Sequence, residues 1–169
     1  MKKSLIAYYS RKGQNYLGGN IVELTVGNTE VIAKKIQVLV GGDLFEIDTV
    51  KLYPKDYTET TKVARDELST GARPELSALP VNMDDYDTIY LGYPNWWGTF
   101  PMAVFTFLES YNFNGKTITP FCTHEGSGSG NSVLDIKNCC FGANVLNGIA
   151  IRGGSVAKAD SQIKRWLKI

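Results

Sequence analysis

The chain has 169 residues, 43% of them hydrophobic and 21% charged, which suits one globular domain with a sizeable core and excludes long disorder. Eighteen Lys and Arg against 17 Asp and Glu leave a net charge of +1, which disfavours a polyanion binder that relies on overall basic charge. No apolar run approaches the ~20 residues that cross a bilayer. One His and no CxxC pair exclude multi-histidine and paired-cysteine zinc sites, and three cysteines, two of them adjacent, fit a reducing cytoplasm better than a disulfide scaffold.

The balance hides a local bias: residues 43–91 hold 11 acids and 5 bases, residues 1–42 hold 6 bases and 2 acids. The start reads as a first strand rather than a leader, with Leu5, Ile6, Ala7, Tyr8 and Tyr9 forming a run suited to burial on both faces. Ile32, Ile36, Leu39 and Val40 then share a helical face that ends at Gly41-Gly42. Residues 44–47 read as a second strand. Residues 56–70 read as a helix stopped by Gly71 and Pro74, and residues 88–93 as a third strand stopped by Pro94. Ala103, Val104, Phe107 and Leu108 make a helical face. Residues 116–122 form a fourth strand in which Pro120 demands a bulge or an unpaired N–H. A short helix at 132–139, a fifth strand at 144–151 and a last helix with Ile163, Trp166 and Leu167 inward complete the chain. Five strands alternating with helices predict an α/β domain over 1–169, a parallel sheet covered on both faces. Such a sheet binds ligands beyond the carboxyl ends of its strands, which directs attention to the loops after strands one, three and four.

The first loop runs from Ser10, Arg11, Lys12 and Gly13 to Gly27, Asn28, Thr29 and Glu30, where a helix begins. Free N–H groups and the helix dipole suit a phosphate there, although Asn28 or Thr29 could serve only as a cap. A P-loop is not met, since Ser110 stands where the first Gly of that pattern belongs, and Asn114-Gly115-Lys116-Thr117 reads as a turn. GxGxxG is absent after the first strand. The second loop, from Pro94 and Asn95 through Trp96, Trp97 and Gly98 to Pro101, puts two indoles side by side on opposite faces of the chain. One can pack on the core while the other stacks on a planar ring. The third loop holds Thr123, His124, Glu125, Gly126, Ser127, Gly128, Ser129 and Gly130. It reads as a flexible linker by composition, or as backbone that comes close to a ligand. Gly128 occupies the position a hydrolase nucleophile elbow gives to Ser.

Together these loops resemble the flavodoxin-like family, which binds flavin mononucleotide (FMN). Ser10-Arg11-Lys12-Gly13 and Gly27-Asn28-Thr29 are similar to the two halves of its Ser/Thr-x-Thr-Gly-Asn-Thr phosphate loop, with Lys12 in place of the usual Thr and residues 14–26 inserted between. Tyr53-Pro54-Lys55-Asp56-Tyr57, Ala64, Glu67 and Arg73-Pro74 resemble a bacterial subgroup of the family. The resemblance implies a three-layer sandwich with a five-stranded sheet of order 2-1-3-4-5. It implies FMN held at the phosphate by Ser10, Lys12, Gly13, Asn28 and Thr29, with the insertion either covering the cofactor as a lid or supplying Asn15, Tyr16 or Thr25 to the phosphate. The ring would lie against Pro94, Asn95, Trp96, Trp97 and Gly98 on one side and Thr123, His124, Glu125, Gly126, Ser127, Gly128 and Gly130 on the other. The function implied is electron transfer to a redox partner protein or a small acceptor such as a quinone. The alternatives are an NAD(P)H-dependent oxidoreductase and a regulatory flavin-binding module. No protein acid or base is required by the electron-transfer reading.

Overall fold

The computed structural model of the protein describes residues 3–169. Its elements are β1 (Lys3–Tyr8), β2 (Gly13–Leu17), β3 (Asn20–Leu24), α1 (Asn28–Val40), β4 (Asp43–Glu46), α2 (Tyr57–Thr70), β5 (Tyr86–Pro94), α3 (Met102–Glu109), β6 (Thr117–His124), α4 (Ser132–Cys139), β7 (Asn144–Val145), β8 (Ile149–Arg152) and α5 (Asp160–Leu167). The main sheet is parallel and runs β4-β1-β5-β6, with β7 and β8 both on the far side of β6. Counted in chain order, the five positions of this sheet are 2-1-3-4-5, as expected.

Two cores follow from the two-residue period of the strands. Ile6, Phe121 and Ile151 face α1 and α5, packing on Ile32, Ile36 and Ile163. Leu5, Ile89, Leu91 and Ile118 face the other way, onto Val104 and Phe107 of α3 and Ile136 of α4. Gly92 of β5 has its side-chain position filled by the Phe121 ring of β6, and a Cβ there would overlap the ring. Gly92→Ala should therefore destabilise the fold by about 1–3 kcal/mol, as over-packing does. The check is the urea midpoint, which should fall at unchanged slope.

The helix starts and stops are locally encoded. Asp56 caps α2 by accepting from the Glu59 N–H at 2.8 Å, and Gly71 closes the helix in the left-handed conformation.

The structure corrects one expectation. The fifth strand is not continuous over 144–151 but is divided into β7 and β8. The carbonyls of Lys116 and Ile118 accept from Asn144 and Leu146, so the next residue of β6 facing this edge is Pro120, which has no N–H to offer. Residues 146–148 pass Thr119 and Pro120, three against two, before pairing resumes at Phe121 and Ile149. This is the bulge that Pro120 demanded. The inserted residues 14–26 form a hairpin: β2 and β3 pair antiparallel, with Leu17 opposite Asn20. The intervening Gly18 and Gly19 both have positive φ, the two-residue turn that matches strand twist.

Candidate functional site

The carboxyl ends of β1, β5 and β6 open into a cleft of about 360 Å³, where the strand order reverses around β1 and β5. At its inner end stands the N-terminus of α1. The Ser10 hydroxyl accepts from the Glu30 N–H at 3.1 Å and so caps this helix in place of Gly27, which has no side chain to do it. Among the described residues nothing accepts from the N–H groups of Asn28 and Thr29, the first-turn donors that a helix leaves free. Gly27 forms the cradle beside them: a Cβ there would strike the Ser10 hydroxyl and lie 2.6 Å from the Arg11 carbonyl oxygen. The Thr29 side chain is buried, and its hydroxyl shares a 2.8 Å hydrogen bond with that of Thr123, joining the first loop to the third.

The second loop is a tight turn. Trp96 and Thr99 bracket Trp97 and Gly98, whose φ values are 58° and 89°. A left-handed conformation costs a non-glycine residue about 1–2 kcal/mol, so Trp97 must be held in place. Its indole N–H donates to the Thr61 carbonyl at 2.9 Å, and the Arg65 guanidinium lies 5.3 Å from the ring centroid. The Gly98 N–H donates to Asn95 Oδ1 at 2.9 Å, while the Gly98 carbonyl accepts from the Asn131 N–H at 2.8 Å. Asn95 also donates through Nδ2 to the Gly128 carbonyl at 2.7 Å, tying the second loop to the third. The two indoles divide as their alternation predicts. Trp96 packs edge-on against Tyr9 and Tyr53, both at 5.2 Å, whereas Trp97 remains 51% exposed at the cleft wall.

Of the residues singled out from sequence, Asn15, Tyr16, Asn28 and Thr29 line the cleft from the first loop, Pro94, Asn95, Trp96 and Trp97 from the second, and Thr123, His124, Glu125 and Ser127 from the third. Ser10, Lys12, Gly13, Gly98, Gly126, Gly128 and Gly130 lie outside that lining. Lys12 is exposed, Gly13 begins β2, and Ser10 and Gly98 support the wall from behind through the bonds just described. Arg11 of the first loop also lines the cleft, and a further wall was not read from sequence: Tyr57, Thr60, Thr61 and Ala64 along one side of α2.

Burial pushes the Tyr57 phenol up, with Tyr16 adding to the effect. Burial, then the nearby Arg152, pushes the His124 imidazole down, and its Nδ1 accepts from the Gly126 N–H at 2.9 Å. Behind the wall, burial also raises the phenols of Tyr9 and Tyr53. Arg11 and Glu125 are the charged side chains of the lining. The arrangement has the shape and polarity to take a flat ring and an anion.

The profile of a family described as Flavodoxin matches residues 22–169. The crystal structure of a candidate flavoprotein from Bacteroides uniformis ATCC 8492 is 30% identical over 96% of this chain and 98% of its own, with a TM-score of 0.75. A candidate flavoprotein from Bacteroides eggerthii DSM 20697 is 28% identical over 95% of this chain and 98% of its own, with a TM-score of 0.73. A flavoprotein from Lactobacillus acidophilus NCFM, solved in complex with FMN, shares the fold at 24% identity and a TM-score of 0.66, over 98% of this chain and 99% of its own. No curated protein matches the chain.

Proposed function

Because the chain belongs to the flavodoxin family, we propose that it is an FMN-binding redox protein that transfers electrons between a donor and either a partner protein or a small acceptor such as a quinone. The observation that carries this reading is the pairing of the unbonded N–H groups at the start of α1 with an aromatic wall in one cleft. The N–H groups of Asn28 and Thr29 suit a phosphate at the positive end of α1. Trp97 at the cleft wall suits the flat ring. FMN, when bound, supplies one- and two-electron chemistry. The protein orients it in the cleft. The free thiols of Cys122, Cys139 and Cys140 support a reducing, cytoplasmic setting. Among the described residues no helix is long and apolar enough to cross a membrane.

The test is the visible spectrum of the purified protein and the mass of the released chromophore. Absence of flavin after reconstitution with FMN overturns the reading. Oxidation of NAD(P)H with quinones, measured in the steady state, separates a self-contained oxidoreductase from a carrier that needs a partner reductase. Within the site, Trp97→Ala is expected to weaken flavin binding by about 1–3 kcal/mol, by analogy with bases stacked on aromatic side chains, and to leave folding stability nearly unchanged. Trp96→Ala should do the reverse, since Trp96 is packed among core rings. Fluorescence titrations and thermal melts of the two variants read this division directly.

A further inference from the structure

The hairpin formed by β2 and β3 has a firm base and a weakly held tip. At the base, Arg11 Nη2 donates to the carbonyls of Pro54 and Lys55, each at 3.0 Å, and Gln14 Oε1 accepts from the Tyr57 N–H at 2.8 Å. The Tyr16 ring stacks on that of Tyr57, 6.2 Å apart and 24° from parallel. At the tip, the Gly18 N–H donates to Glu125 Oε2 at 3.2 Å, across 107 residues of chain. The hairpin therefore reaches from the start of α2 to the third loop, passing the first turn of α1. There Leu17 of the hairpin, Asn28 of α1 and Glu125 converge on Gly153: a Cβ on that glycine would strike Glu125 Oε1, 2.6 Å from Asn28 Nδ2 and 3.0 Å from Leu17 Cδ1.

Glu125 is partnered through one oxygen only. Oε2 holds the hairpin, while Oε1 is buried with no hydrogen-bond partner. A carboxylate oxygen stripped of water and left unpaired is costly. Breaking a single long bond frees the tip and returns that oxygen to solvent, so the contact is built to open as well as to close.

We propose that the hairpin is a strap retaining the phosphate end of the flavin, and that Glu125 is the positioning residue that latches it; the proposal rests on the FMN reading above. Closed, the strap shields the Asn28 and Thr29 N–H groups from water, where hydrogen bonds to an anion are stronger. Open, it lets the cofactor enter or leave without unfolding the sheet.

The experiment compares wild type, Glu125→Ala and Glu125→Gln. FMN release is followed by recovery of flavin fluorescence on dilution, and hydrogen exchange is followed at the Gly18 amide. Glu125→Ala should release FMN about tenfold faster, the effect of losing one hydrogen bond to a charged acceptor. Its Gly18 amide should also exchange faster than that of wild type, with and without FMN. Glu125→Gln keeps an acceptor oxygen for Gly18 and should restore slow release and slow exchange. If FMN binds and both variants release it at the wild-type rate, the strap is overturned while the FMN reading stands. If both variants instead bind FMN more tightly and riboflavin as before, Glu125 acts as a charge on the phosphate and the latch is overturned. A wild-type protein that binds no flavin defeats the FMN reading, and the strap falls with it.

Discussion

Gly27→Ala is expected to weaken FMN binding by about ten- to a hundredfold, given that over-packing costs roughly 1–3 kcal/mol and ~1.4 kcal/mol is a factor of ten. The backbone of Gly27 is extended, with φ of −66°, so alanine meets no conformational penalty there. The effect is steric: the added Cβ meets the Ser10 hydroxyl and the Arg11 carbonyl, and the second of these is backbone that cannot rotate aside. The loop must open, and with it the cradle around the first N–H groups of α1. Riboflavin lacks the phosphate and should lose much less. Calorimetric titration with both ligands checks the difference, and circular dichroism checks that the fold is retained. Equal losses for FMN and riboflavin would place the phosphate away from this loop.

Phe107→Ala carries the largest expected effect on stability. The ring is fully buried, stacked against Phe45 at 6.1 Å and tilted against Phe113 at 6.2 Å, with Tyr111 edge-on at 5.6 Å. Truncating such a phenylalanine costs about 3–5 kcal/mol. At about 2–4 °C per kcal/mol for a chain of this size, the melting temperature should fall by roughly 10 °C. Phe107 does not line the cleft, so flavin affinity measured well below the melting temperature should be unchanged. A loss under about 1 kcal/mol would mean that the surrounding rings close the gap by themselves.

Strand and helix identities were legible because each is written locally. The double-faced burial of β1 appears as an unbroken apolar run, and the ends of α1 and α2 appear as Gly41 and Gly71. The three loops could be found from topology, since strand-to-helix alternation alone fixes which ends of a parallel sheet gather a site. The hairpin had a local signal that went unread: Gly18-Gly19 is a two-residue turn motif. The break between β7 and β8 could be sensed only through Pro120, because the missing N–H lies on the neighbouring strand rather than on the one that breaks. The wall formed by Tyr57, Thr60, Thr61 and Ala64 had no local signal. A helix advertises its buried face in its periodicity, but which cleft the rest of it borders depends on how α2 docks against β2 and α3. The same holds for Glu125, whose partner lies 107 residues away.

The division at Pro120 has a consequence for how the folded chain behaves at high concentration. A sheet's outer strands present unpaired N–H and C=O groups that can recruit the outer strand of another molecule, the first step toward aggregation. One border of this sheet is β4, only four residues long. The other is two short pieces, β7 and β8, separated by a bulge that interrupts the row of exposed donors and acceptors. Neither border offers a long flat template for intermolecular pairing. A proline placed to disrupt one strand thereby also protects the whole sheet from its neighbours in solution.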